Sequence, residues 1–153
     1  MLSIGARAPD FTVHHEDGHT TTLAALVAEG PLVLYFYPAD FTPVCTKQAC
    51  MFRDIHPELV AAGVRVVGVS GQGDGSHEAF KSKHDLPFML LPDKDGALAA
   101  AYGVKGPFGL TRRVSYLIDG QGTIIDRLQA DLLVGRHEAF ARRAIAQGLS
   151  GKR

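Results

Sequence analysis

Cys45 and Cys50 are the two cysteines of a 153-residue chain, and both follow a Thr-Pro pair, Thr42-Pro43. Thr is a favoured N-cap and Pro a favoured first helical residue. A helix is therefore predicted to start here, with Val44 and Cys45 at its second and third positions. Cys45 then lies among unpaired N–H groups at the positive end of the helix dipole. A thiol so placed ionises more readily, and the thiolate is the nucleophile. The same positions allow a plainer reading. Cys45, Ala49, Phe52, Ile55 and Leu59 follow the three-and-four spacing of a buried helix face, and a free cysteine is often a small core residue. On these residues alone, both readings stand.

A static disulfide between the two thiols is excluded. Five residues on an ideal helix separate Cα atoms by about 8.6 Å, beyond the roughly 7 Å a disulfide tolerates. Either the thiols are unrelated, or they are a redox pair coupled to unwinding of at least a turn.

The elements that must position them are written as apolar runs. Residues 32–37 and 64–69 are continuous β-forming stretches, the pattern of strands buried on both faces. The helical stretch 43–62 between them makes a βαβ unit with a right-handed crossover. Pro57 falls within that helix and is expected to kink or end it. Weaker strands are expected at 11–13, 88–91, 113–118 and 123–128, the last two joined by a turn at 119–122. Further helices are expected at 76–84, 97–102 and 136–147. The expected fold class is α/β, a central mixed sheet flanked by helices, as a single domain over residues 1–153.

Composition narrows the function. Hydrophobic residues at 46% and charged residues at 21% indicate a globular core. Sixteen basic and sixteen acidic residues leave no formal net charge, so neither nucleic acid nor an anionic membrane is an expected partner. Two cysteines are too few for a secreted disulfide scaffold. The first ten residues lack a signal-like apolar segment, and no apolar run nears the ~20 residues of a membrane helix; a soluble cytoplasmic protein is expected. His14, His15 and His19 read as a solvated turn, and Cys45, Cys50 and His56 do not follow zinc-ligand spacing. The glycine-rich run 71–75 lacks the ending of a phosphate loop and reads as flexible. Arg142-Arg143 is too short a basic pair for nucleic acid. No metal or cofactor is expected.

Pro38, Thr42 and Cys45, spaced by three and then two residues, resemble the active-site signature of a peroxiredoxin. Residues 35–38 and 45–54 resemble the peroxiredoxin Q, or bacterioferritin comigratory protein, branch. That branch places a resolving cysteine five residues after the peroxidatic one. Residues 5–12, 83–88 and 101–104 resemble other parts of the branch, and 113–119 resembles the strand carrying its active-site arginine, matched by Arg113 rather than Arg112. Val44 stands where the branch often has Gly. The resemblance implies a thioredoxin-like fold and a thiol peroxidase acting on hydrogen peroxide and organic hydroperoxides. It implies Cys45 as peroxidatic nucleophile passing through a sulfenic acid, and Cys50 as resolving thiol in an intrachain disulfide. Thioredoxin or a similar dithiol would recycle that disulfide. Thr42, Arg113 and the Cys45 N–H become donors to the peroxide oxygens, Pro38 shields the sulfur, and the assembly is a monomer or weak homodimer. Two other functions fit less of the pattern. A thioredoxin-type disulfide oxidoreductase would carry Cys-x-x-Cys, and a peroxide-responsive sensor or holdase would oxidise once without turnover.

Overall fold

The structure is a computed structural model describing residues 1–151, with side chains to residue 148. A short antiparallel pair, β1 (Thr12–His14) and β2 (Thr20–Thr22), leads into α1 (Leu23–Val27). The core then follows as β3 (Leu32–Phe36), α2 (Pro43–Ala61), β4 (Arg65–Ser70), α3 (Asp74–His84), β5 (Met89–Pro92) and α4 (Ala97–Ala101). A 3-10 turn at Pro107–Gly109 precedes β6 (Val114–Ile118), β7 (Ile124–Gln129) and α5 (Val134–Gly151). The five-stranded sheet has the order β5-β4-β3-β6-β7. The strands β5, β4 and β3 are parallel, and β6 and β7 are antiparallel to their neighbours.

The unbroken apolar run of β3 follows from its central place. Val33, Tyr35 and Tyr37 face one core, where Phe52 and Leu59 of α2 and Phe140 and Ala144 of α5 pack. Leu32, Leu34 and Phe36 face the other, with Leu26, Leu98 and Tyr102. Alternation disappears because helices cover both faces. The stripe Cys45, Ala49, Phe52, Ile55 and Leu59 is buried as its spacing predicts. Full burial of Phe52 alone contributes roughly 1.5–3 kcal/mol.

Several expectations shift. Pro57 does not end α2, which runs on to Ala61 with Pro57 on its exposed side. The glycine-rich run is not all loop, because Asp74 and Gly75 already belong to α3. The polar triplet of β2 lacks the apolar pattern that reveals the other strands, and α1 is apolar but only five residues long. His15 is not a solvated turn residue: its Nδ1 meets Asp74 Oδ1 at 3.0 Å and its Nε2 meets Thr21 Oγ1 at 2.8 Å. Those bonds tie the β1–β2 turn to the start of α3. Among the described residues, no helix is long and apolar enough to cross a membrane.

Candidate active site

The corner between β3 and α2 is built from the residues that the sequence singles out. Thr42 is the extended N-cap (φ −83°, ψ 150°) and Pro43 opens the helix. The first helical bond runs from the Thr46 N–H to the Thr42 carbonyl at 2.8 Å. The Cys45 N–H therefore belongs to the orphan donors of the helix start. The Thr42 hydroxyl does not cap the helix; it donates to the Ala39 carbonyl at 2.9 Å. Between them Phe41 takes a left-handed φ of 65°, a conformation that costs a non-glycine residue about 1–3 kcal/mol and persists only when neighbours hold it. Pro38 is half-buried at the head of this loop.

Cys45 is 2% exposed. Arg113, at the entrance to β6, reaches it across the sheet: its Nη1 donates to Cys45 Sγ at 3.2 Å and to Gln48 Oε1 at 2.7 Å. The guanidinium is aimed from behind, with Nε donating to the Asp131 carbonyl at 2.9 Å and the Arg113 N–H to Asp131 Oδ1 at 3.1 Å. Its Nη2 hydrogens have no partner among the described residues. A fork fixed at two points with one arm unused can meet an incoming pair of oxygens. Gln48 is fully buried one turn after Cys45, and its Nε2 has no partner among the described residues. No motif marks this residue; only its place one turn past the thiol points to it.

Two buried networks stand behind the corner, and no sequence motif marks either. Asp40 accepts from the Tyr37 hydroxyl at 2.6 Å, from the Ser76 hydroxyl at 2.8 Å and from His77 Nδ1 at 2.7 Å. The Asp40 N–H donates to Gln72 Oε1 at 3.0 Å. Burial opposes ionisation of Asp40, but these donors outweigh it and hold its carboxyl below the ordinary 3.8. His77 Nε2 faces the Leu91 carbonyl at 3.1 Å. Both ring nitrogens thus face acceptors, so the ring carries two protons and forms a buried ion pair with Asp40. On the other side, Ser115 Oγ lies 2.8 Å from His137 Nδ1, and His137 Nε2 donates to the Ala130 carbonyl at 2.9 Å. Burial, with Arg113 nearby, pushes His137 below its ordinary 6.5, so the ring is neutral and Nδ1 accepts.

Cys50 lies further along α2 as a free, half-buried thiol, and Cys45 is also free. On β3, the Tyr35 hydroxyl is buried without a hydrogen-bond partner among the described residues, and burial drives its ionisation far upward. A Cβ at position 68 would sit 2.8 Å from the Tyr35 ring, so Gly68 makes room for it. A surface hollow of about 480 Å³ beside α3 is lined by His15, Asp74 and Lys81 and touches neither thiol.

The AhpC/TSA family profile matches residues 4–127. Rice peroxiredoxin Q (Oryza sativa subsp. japonica, chloroplastic) is 43% identical over 125 residues, covering 80% of this chain and 57% of the relative. The chain thus spans little more than half the length of such plant relatives. A protein of Coxiella burnetii named peroxiredoxin bcp is 42% identical over 130 residues, covering 80% of this chain and 85% of its own. Among solved structures, BcpB of Mycobacterium tuberculosis superposes with a TM-score of 0.86 at 32% identity, covering 100% of this chain and 99% of that one. Peroxiredoxin Q of Xanthomonas campestris gives 0.81 at 31%, covering 90% and 91%. The fold is that of the thioredoxin-like peroxiredoxins.

Proposed function

The chain belongs to the AhpC/TSA family, in its peroxiredoxin Q branch, and from that premise we propose that it is a thiol peroxidase reducing hydrogen peroxide and organic hydroperoxides. One observation carries the reading: a buried cysteine at a helix start, hydrogen-bonded by a guanidinium at 3.2 Å. A cation on the sulfur and orphan N–H groups beside it both favour the thiolate. The Cys45 thiolate attacks the terminal oxygen, an S–O bond forms, and the O–O bond breaks. The departing oxygen leaves as water or alcohol after taking a proton. The sulfur is oxidised to a sulfenic acid and the peroxide is reduced.

Negative charge builds on the oxygens as their bond stretches, so fixed donors are what the step needs. Arg113 Nη2 and the Cys45 N–H supply them. The Thr42 hydroxyl, expected as a donor, has its proton committed to Ala39; it meets the hydroperoxide as an acceptor of the O–H hydrogen. Pro38 covers the sulfur. Cys50 then closes a disulfide with Cys45 once the front of α2 unwinds, and thioredoxin or a similar dithiol reopens it by exchange. The chain works as one domain, as a monomer or weak homodimer, in a reducing compartment such as the cytoplasm. A Xanthomonas campestris bacterioferritin comigratory protein at 30% identity is described as reducing alkyl peroxides, which supports the substrate class.

Mass analysis after one equivalent of hydrogen peroxide tests the scheme. The wild type is expected to lose two hydrogens through a Cys45–Cys50 link, and Cys45→Ser to consume no peroxide. Peroxide turnover by Cys45→Ser would overturn the assignment.

A further inference from the structure

Cys50 has a neighbour that the chemistry at Cys45 leaves unused. His84, the last residue of α3, turns Nδ1 toward Cys50 Sγ at 4.0 Å, the long end of a thiol hydrogen bond. Two contacts fix the ring and its backbone. Its ring makes a T-shaped contact with that of Phe80, with centroids 5.2 Å apart at 72°, and Phe80 is fully buried. Its carbonyl accepts from Arg53 Nη1 at 2.9 Å, so α2 and α3 are joined at the level of Cys50. A cation is also favoured on the final turn of a helix, among unsatisfied carbonyls. The ring therefore has a nitrogen on the thiol, a fixed orientation and a place where imidazolium is tolerated.

We propose that His84 is the general base for Cys50, a further catalytic residue that delivers the resolving thiol as its thiolate. The inference rests on the roles of Cys45 and Cys50 given above. The Cys50 S–H bond breaks and its proton passes to His84 Nδ1. The Cys50 thiolate attacks the sulfur of the Cys45 sulfenic acid. The S–S bond forms as the S–O bond breaks, and the departing hydroxide takes the proton from His84 as water. Cys50 sulfur is oxidised, Cys45 sulfur is reduced, and no outside oxidant is needed. Opening the first turn of α2 moves Cys45 toward a partner that is still held on α3.

The experiment separates this inference from the peroxidase reading. In Cys45→Ser, Cys50 is the remaining thiol, so its alkylation by monobromobimane reports its own ionisation with no peroxide chemistry. An unassisted cysteine, with an ordinary pKa near 8.5, is only about 3% thiolate at pH 7. His84→Phe keeps a ring against Phe80 and removes the nitrogen; His84→Asn keeps polarity and removes the base. Each, in the Cys45→Ser background, is expected to alkylate about tenfold more slowly at pH 7 and to follow an ordinary thiol's pH profile. The other groups shown to interact with Cys50 stay in every variant: Arg53 on α2, itself paired with Asp54, and Tyr35 on β3. In the chain with both cysteines, His84→Phe is expected to leave more sulfenic acid for dimedone to trap after one equivalent of peroxide. Thermal melting confirms that each variant is folded. Matching pH–rate profiles with and without His84 would overturn the proposal, even if Cys45 proves to be a peroxidatic nucleophile.

Discussion

His77 and His137 are 3% and 0% exposed, and each steadies one half of the candidate site. His77 holds the Pro38–Thr42 loop by a carboxylate, through Asp40, and carries a proton on both nitrogens. His137 holds the strand ends that present Arg113, through Ser115 and the Ala130 carbonyl, and stays neutral. The charge states follow from the neighbours. A carboxylate accepting three donors welcomes an imidazolium, whereas a ring near the Arg113 cation is discouraged from becoming a second one. The loop is fastened by an ion pair, and the arginine by uncharged bonds that leave its positive charge for the sulfur.

Asp40→Ala should break the comparison most strongly. It strands a buried imidazolium and is expected to lower the unfolding free energy by roughly 3–5 kcal/mol, read from urea titration. A loss below about 1 kcal/mol would mean that His77 carries no charge to be stranded. Ser115→Ala acts on the uncharged side. It leaves the buried Nδ1 of His137 without a donor and is expected to cost about 1–3 kcal/mol; a loss equal to that of Asp40→Ala would erase the distinction.

The smallest effect is a pH dependence. The folded protein keeps His137 below 6.5, chiefly through burial. As pH falls from about 6.5, the unfolded chain binds the proton first and stability declines. His137→Gln should flatten this slope in urea titrations between about pH 7.5 and 5.5 relative to wild type. His56, also lowered by burial, remains in both proteins and cancels. An unchanged slope would show that His137 takes its proton in the folded state. The contribution of Asp40 lies in a separate window: it is present above about 3.8 and lost as pH drops through its lower folded value.

What the sequence reveals and hides follows from the same physics. The two buried strands, the helix between them and its Thr-Pro start are local patterns, and each is where its residues predict. Cys45 and Arg113 are legible because a helix start and a motif mark them, and the structure brings them together. Gln48, Asp40, His77, Ser115 and His137 are not, because each acts through partners distant in the chain: Asp40 meets His77 across 37 positions and Ser115 meets His137 across 22. A polar residue among apolar neighbours does not say which distant group will satisfy it. Thr42 shows the converse, since its position as cap is local but its hydroxyl chooses Ala39.

Pro57 is embedded in α2 without ending it, and it supplies no N–H for the Arg53 carbonyl one turn earlier. The ladder of helical bonds therefore has a missing rung between the thiols and Leu59, which is fully buried against the sheet. Fraying that starts at Pro43 propagates bond by bond, and at that gap its cooperative link to the remaining turns is weakest. In the proposed catalytic cycle the first turn opens and re-forms while the half beyond Pro57 stays docked, like a hinge plate screwed down at one end.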